Sequence, residues 1–148
     1  MKITALEEYG LRCLVAIAKS GEQGQLSISE IAEMEGLSIP YTSKLLSILG
    51  KAKLLDAVRG RSGGFSLARP AENINLMEIT MALAGPLMDS NHCEKYTGLL
   101  DECVHLDNCS VYNVYSGLAG YVTEYLQSTT LADMIDESIT GRLQRMKI

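Results

Sequence analysis

The chain has 148 residues, of which 47% are hydrophobic, and a net charge of −5. This length predicts one domain, or one domain with a dimerising extension. We find neither an apolar run long enough to span a membrane nor a signal peptide, which predicts a cytoplasmic protein with reduced cysteines and no membrane partner. Because the sequence has no phosphate-binding glycine loop, no nucleophile–base pair and no HExxH motif, we predict that it is not an enzyme.

The two halves of the chain differ in charge. Residues 1–70 carry nine Lys and Arg against seven Asp and Glu, whereas residues 71–148 carry four against eleven. Within 38–70, six basic residues face a single carboxylate, Asp56. The six are Lys44, Lys51, Lys53, Arg59, Arg61 and Arg69. This asymmetry favours nucleic-acid contact by the first half, although a solvated charged surface would have the same composition.

Helix-start signals predict three helices in the first fifty residues. Residues 4–7 and 27–30 have the capping-box spacing, and Ser38 precedes a helix that tolerates Pro40 in its first turn. Gly36 is placed to end the second helix in a left-handed conformation. Two short helices separated by such a break are typical of a helix-turn-helix, although many helical hairpins share the pattern.

The third helix is the predicted recognition helix. Leu45, Leu46 and Leu49 mark its buried side, and we expect the residues on its other side and at its cap to contact DNA. These candidates are Ser38, Tyr41, Thr42, Ser43 and Lys44. Since none of them offers the bidentate contact of Arg with guanine, specificity is expected to depend partly on hydroxyls, apolar contacts and groove shape.

A hairpin follows the recognition helix. Residues 54–59 and 65–69 are β-like runs joined by a glycine-rich turn. Arg59 and Arg61 at its tip can reach phosphates or a minor groove, as in a wing, whereas in an ordinary hairpin they would be solvated. This order of elements predicts a mainly α fold with a winged helix-turn-helix DNA-binding domain over residues 1–85, whose last helix stops at Gly85.

Residues 86–109 form a loop that contains three of the four cysteines, Cys93, Cys103 and Cys109. An odd number of thiols cannot all pair as disulfides, and three thiolates in one loop suit an iron–sulfur cluster or a zinc ion. Both histidines, His92 and His105, lie in the same loop. The fourth cysteine, Cys13, is on the apolar stripe of the first helix, so we predict that it is a core residue.

Residues 110–140 are predicted to hold a long helix capped by Ser110 and a short last helix that opens at Thr130, before a tail at 141–148. The long helix carries large apolar side chains on one stripe: Val111, Val114, Tyr115, Leu118, Tyr121, Val122 and Tyr125. A small winged helix does not need such a stripe for its own core. We therefore predict a dimerisation helix, with packing inside one chain as the alternative.

Four features resemble the iron–sulfur regulators of the IscR, NsrR and RirA type, the Rrf-two superfamily of bacterial transcription factors. They are the start at residues 1–4 (Met-Lys-Ile-Thr) with Tyr9, residues 37–41 (Leu-Ser-Ile-Pro-Tyr), the glycine-rich wing at 59–65, and three cysteines before a long helix. The resemblance covers essentially the whole chain. It implies a homodimer whose long helices cross between subunits and which binds a palindromic operator on double-stranded DNA.

The resemblance also implies that the three loop cysteines hold an iron–sulfur cluster. The chain departs from the family in the nine residues between the first two cysteines, and in Tyr112, which stands where 2Fe–2S members have a histidine ligand. A 4Fe–4S cluster is therefore favoured over 2Fe–2S. Other members complete the ligand set with a carboxylate from the partner's first helix, and Glu8 is at the matching place. His105 and His92 are alternatives, as are water, a thiol or an open position, and Glu8 could also be a solvated surface residue.

The implied function is a transcription regulator that senses redox, nitric oxide or iron status through its cluster. Three other interpretations stay open. The cysteines could act as a thiol switch without a cluster, through sulfenate or disulfide chemistry. The protein could be an electron-carrying iron–sulfur module that uses the winged helix for protein contacts. The loop could instead be held by zinc, which accepts three cysteines with a histidine or a carboxylate.

Overall fold

The computed structural model describes residues 3–21, 24–60, 63–88, 90–106 and 108–136. Arg61 and the predicted tail at 141–148 lie outside these residues. The described elements are α1 Ala5–Lys19, α2 Ile28–Glu35, α3 Ile39–Lys51, β1 Leu55–Val58, β2 Gly64–Leu67, a 3-10 turn Ala71–Asn73, α4 Leu76–Leu83, α5 His92–Lys95, α6 Ser110–Ser128 and α7 Leu131–Ile135. The prediction of a mainly α fold with a small hairpin is confirmed.

Side-chain caps begin the first three helices as predicted. The Thr4 hydroxyl accepts from the Glu7 N–H at 3.3 Å, while the Glu7 carboxylate accepts from the Thr4 N–H at 2.8 Å. The capping box that starts α2 has the same geometry, and Gly36 ends that helix at φ 66°. Each such cap stabilises its helix by about 1 kcal/mol, because it satisfies backbone donors that have no partner inside the helix.

The predicted cap of the long helix α6 was wrong by one residue. Cys109, not Ser110, is the cap, and its Sγ accepts from the Tyr112 N–H at 3.3 Å. Cys109 has the extended backbone of a cap residue, with φ −100° and ψ 104°, whereas Ser110 is already helical. Serine is the stronger capping residue, so the sequence pattern favoured it over a cysteine. The short helix α5 inside the cysteine loop was not predicted.

The core is formed where α1 meets α2, α3 and α4. Its fully buried side chains include Cys13, Leu14, Ile17, Ile31, Leu45, Leu46, Leu49 and Ile79. The prediction that Cys13 is a core residue is confirmed. Burial raises the pKa of the Cys13 thiol to about 11, so this cysteine is a neutral thiol at physiological pH.

The wing is tied to the segment before α2. Strands β1 and β2 pair antiparallel with Leu55 opposite Leu67 and Ala57 opposite Phe65. Phe65 also exchanges two backbone hydrogen bonds with Leu26, at 2.8 and 3.1 Å. This additional bridge was not predicted, since a single bridging residue has no alternating pattern to reveal it. It fixes strand β2, close to the turn of the hairpin, relative to the segment that leads into α2.

Helix α6 packs on α4 along one side and has no buried residue among its 19. After it the chain returns to the core. The Leu76 N–H donates to the Thr129 carbonyl at 2.9 Å, and the Leu131 N–H donates to the Ile74 carbonyl at 2.8 Å. Leu131 is fully buried and brings α7 against α1. Across the described residues, we find no helix with the length and apolar character needed to cross a membrane.

Helices α1 and α4 approach each other at Gly10. A Cβ atom placed there would lie 2.5 Å from Leu83 Cδ2 and 3.2 Å from Leu83 Cγ. Leu83 is itself buried, so it has little room to move away. A glycine in the middle of a helix costs about 1 kcal/mol relative to alanine, and here the close packing of two helices offsets that cost.

We expect Gly10→Ala to lower the free energy of unfolding by about 1–3 kcal/mol, because the added methyl overpacks the contact with Leu83. The matched control is Gly50→Ala in α3, where a Cβ would meet only the Leu55 carbonyl at 3.8 Å. This control should be neutral or stabilising. Urea unfolding followed by circular dichroism measures both variants at one protein concentration. Equal stability of the two variants would contradict the packing argument.

The buried thiol of Cys13 predicts a pH dependence. Its pKa is about 11 in the folded chain and about 8.5 in the unfolded chain. As the pH rises, the unfolded state therefore loses this proton first. The stability that the protonated thiol contributes is complete below about pH 8.5 and is lost as the pH rises toward the pKa of the folded chain. The free energy of unfolding of wild type and of Cys13→Ala is measured under reducing conditions from neutral to alkaline pH. The difference in favour of wild type should become smaller as the pH rises. A constant difference would exclude this linkage.

Candidate nucleic-acid interface and cysteine loop

The outer side of α3 presents a short polar surface. Ser38, Ser43 and Lys44 are exposed, and Ser47 continues the same side one turn later. The Ser38 hydroxyl accepts from the Tyr41 N–H at 3.4 Å and so caps the helix as well. Because recognition helices contact base edges with their N-terminal residues, these side chains are placed for DNA contact when the end of α3 enters a major groove.

Thr42 does not belong to this surface, and the prediction that it contacts DNA was wrong. Its side chain is fully buried, and its hydroxyl donates to the Ser38 carbonyl at 3.0 Å. Thr42 lies three and four residues before Leu45 and Leu46, which places it on the same inward side of the helix. The bond to the carbonyl four residues earlier satisfies the hydroxyl, so a polar residue is tolerated inside the core.

Tyr41 is half-buried and has a structural contact of its own. Its ring meets the Tyr9 ring edge to face, with centroids 6.1 Å apart. The Arg12 guanidinium lies over the Tyr9 ring at 5.3 Å from the centroid. Tyr41 therefore connects the first turn of the recognition helix to α1, and only part of its surface is available to DNA.

Basic side chains surround this region. Arg59 is exposed at the end of β1, and Lys51 and Lys53 are exposed at the end of α3. Lys53 has a left-handed backbone, φ 58°, in the turn that leads into β1. Arg69 differs from these residues because it is paired with Glu78. The exposed cations thus lie along the recognition helix and the wing, which is the distribution expected of a surface that contacts phosphates.

An ion pair and a hydrogen bond connect α1 to the helix-turn-helix. Arg12 Nε lies 2.7 Å from the Glu35 carboxylate, and its Nη2 donates to the Glu35 carbonyl at 3.2 Å. The hydrogen bond to Glu35, with Coulombic help from Glu8, raises the pKa of Arg12. Glu35 is the last residue of α2, directly before the turn. Arg12 therefore links the α1 surface that carries Glu8 to the turn that orients α3.

Glu8 is exposed on α1 at the rim of a groove of about 710 Å³ between α1, α4 and α6. Most of the groove lining is apolar and includes Ile3, Leu11, Leu83, Tyr121 and Tyr125. The groove also reaches Pro86 and Leu87, where the cysteine loop begins.

The three loop cysteines occupy three different settings. Cys93 lies in α5, Cys103 in irregular backbone, and Cys109 at the cap of α6; all three are half-buried free thiols. The His92 ring lies 4.8 Å from the Tyr96 ring and 6.2 Å from the Tyr112 ring, measured between centroids. This stacking holds α5, and Cys93 with it, beside the first turn of α6. His105 is exposed in a separate turn.

The described part of the chain contains no group of three His, Cys, Asp or Glu side chains close enough to hold a metal ion. The donor set nevertheless fits a thiolate-bound metal. Thiolates are the ligands that iron–sulfur clusters and zinc prefer. Val104 and Leu106, on either side of His105, are 71% and 57% exposed. The segment that follows Cys103 is therefore not anchored in the core.

Comparisons with known proteins agree with this architecture. Escherichia coli IscR is 27% identical over 146 residues, which cover 96% of this chain and 87% of IscR. The solved structure of T. potens IscR is 30% identical and has a TM-score of 0.73, covering 93% of this chain and 88% of that one. The structure of CymR, the global cysteine regulator of B. subtilis, is 28% identical with a TM-score of 0.74, covering 91% and 96%.

Residues 3–137 match the Rrf2 family, described as an iron-dependent transcriptional regulator. The match includes the helix-turn-helix, the wing, the cysteine loop and α6. The resemblance found in the sequence is therefore confirmed at the level of the family. Since the match extends over nearly the whole chain, this protein belongs to the Rrf2 family of transcriptional regulators.

Proposed function

We propose that this chain is a cytoplasmic, homodimeric regulator that senses redox, nitric oxide or iron status through an iron–sulfur cluster and binds a palindromic operator. One observation carries the proposal: three free thiols share a surface loop, and the last of them caps the exposed helix α6. A change at these sulfurs acts directly on the start of that helix. The proposal divides the chain into a DNA-binding part at 1–85, a cluster-binding loop at 86–109 and a dimerising part at 110–140.

The dimer is supported by the exposed apolar surface of α6. Val114 is 70% exposed, Leu118 56% and Tyr121 77%. A Cβ placed at Gly117 or Gly120 would meet no atom within 4 Å, so a second helix has room to approach there. Burying one large apolar side chain gains about 1.5–3 kcal/mol, so a partner's α6 laid over this stripe and the neighbouring groove would stabilise the pair.

Cys93, Cys103 and Cys109 are the proposed ligands, with Glu8 of the partner subunit as the fourth and His105 as its alternative. We favour 4Fe–4S over 2Fe–2S, because Tyr112 offers no imidazole. When bound, such a cluster supplies iron that reacts with oxygen or nitric oxide, most readily at the site held by a carboxylate oxygen, a poorer partner than sulfur. The Tyr112 N–H donates to Cys109 Sγ, and hydrogen bonds to ligating sulfurs tune cluster potentials.

Two contacts could carry the signal to DNA. Cys109 is both a proposed ligand and the cap of α6, so its release would loosen the first turn of the dimerisation helix. Glu8 lies near Arg12, which pairs with Glu35 at the helix-turn-helix. Recognition helices of a dimer read half-sites about one DNA turn apart, so a small shift of either subunit is enough to weaken simultaneous docking.

A thiol switch is the second candidate function. It is favoured by the separate settings of the three free cysteines, none of which is gathered into a metal site in the described part of the chain. Oxidation to a sulfenate or disulfide would also act on the Cys109 cap. In that case DNA binding would respond to oxidant in protein that contains no iron.

Cys103→Ala should remove the brown chromophore and change DNA affinity, because it deletes one of the three thiolate ligands. Anaerobically purified protein is analysed for absorption, iron, sulfide and zinc. Cys13→Ala is the matched control and should keep the cluster, since Cys13 is buried in the core. Unchanged iron content in Cys103→Ala would refute the ligand assignment. Colourless wild type with stoichiometric zinc would establish a structural zinc loop instead.

Arg59→Ala should weaken binding to all duplexes and flatten the plot of log affinity against log salt by about one unit, if Arg59 neutralises one phosphate. Arg69→Ala is the matched control at the base of the same hairpin, because Arg69 is paired with Glu78. Fluorescence anisotropy at several salt concentrations measures both slopes. Equal slopes for wild type and Arg59→Ala would remove Arg59 from the interface. The contacts proposed for Ser38, Tyr41, Ser43, Lys44 and Arg61 can be tested in the same way.

A further inference from the structure

We propose that Ile39 contacts the methyl group of a thymine in the major groove, and that this apolar contact sets part of the sequence preference of α3. The inference rests on the proposed function as a DNA-binding regulator. It adds a determinant of specificity that was absent from the residues selected by sequence analysis.

Ile39 lies at the start of the recognition helix. It is the first residue of α3, between the cap Ser38 and Pro40, and its side chain is 55% exposed. Because Cα–Cβ bonds in a helix tilt toward its N-terminus, the side chain extends toward the leading end of α3. In helix-turn-helix proteins this end contacts the base edges.

Two hydroxyls at the same end make hydrogen bonds within the helix itself. The Ser38 hydroxyl accepts from the Tyr41 N–H, and the Thr42 hydroxyl is buried against the Ser38 carbonyl. Pro40 has no N–H to donate. Beside the exposed hydroxyls of Ser38 and Ser43, the leading end of α3 therefore also offers an apolar group, the side chain of Ile39. The thymine C5 methyl is the one apolar group that a base pair presents in the major groove, and an isoleucine side chain complements it.

A single exposed apolar residue is common on protein surfaces and by itself indicates little. Ile39 is distinguished by its setting, since the exposed cations Lys44 and Arg59 lie on the same helix and on the wing that follows it. Met34 in α2 is similarly exposed, at 59%, but lies outside the recognition helix. It therefore supplies a matched control for the loss of an exposed apolar side chain.

The test uses full-length protein and duplexes enriched by it from a random-sequence pool. Each thymine of the enriched half-site is replaced in turn by deoxyuridine, which lacks only the C5 methyl. For wild type we expect one replacement to weaken binding about fourfold, the value of burying roughly one methyl group. For Ile39→Ala the thymine and deoxyuridine duplexes should bind equally well. Met34→Ala should retain the wild-type penalty.

The outcomes separate this inference from the proposed function. If wild type enriches no sequence from the pool, the proposed function as an operator-binding regulator fails, and this inference fails with it. If sequences are enriched but deoxyuridine causes no loss, or causes the same loss in Ile39→Ala as in wild type, only the role of Ile39 is overturned. Circular dichroism of both variants confirms that they fold, which is expected because both side chains are more than half exposed.

Discussion

The close packing of α1 against α4 at Gly10 and Leu83 is the contact on which the rest of the arrangement depends. It sets α1 deep enough for its inner side to complete the core with α2 and α3. The outer side of the same helix then carries Glu8 at the groove and Arg12 at the end of α2. One rigid helix thus joins the proposed sensing surface to the turn that orients the recognition helix. Side chains on one helix move together, so in the proposed regulator a displacement at Glu8 would also reach Arg12.

Helix α6 differs from the helices of the core in how much of its apolar surface is exposed. Its apolar side chains remain exposed because α4 covers only one side of it. An exposed apolar stripe is unfavourable in water, and in the proposed dimer the second subunit would cover it. The cap of the same helix is a cysteine sulfur. In the proposed regulator, chemistry at that sulfur and association of subunits would therefore be coupled through the first turn of one helix.

The starts of the first three helices could be predicted from the residues around them. The capping residues Thr4, Ser27 and Ser38 act through neighbours three residues away, so their signals survive in any tertiary context. Two local predictions failed although the contacts involved are also local. Thr42 faces inward with Leu45 and Leu46, and its hydroxyl is satisfied by the Ser38 carbonyl. Cys109 is the cap in place of Ser110 because the helix begins at Ser110 itself. The Leu26 bridge to Phe65 joins distant segments, which no local pattern records.

The sequence by itself determined the mainly α fold, the order of helices and wing, and the family, because these follow from local capping, periodicity and motif spacing. It also identified three thiols in one loop as candidate donors, since the residue type alone limits the chemistry available. Only the tertiary structure decided which side chains of the recognition helix face outward and which charges are paired. It removed Thr42 from the interface, exposed Ile39 and paired Arg69 with Glu78. Exposure and pairing depend on elements far apart in the chain, so they emerge only when the helices pack together.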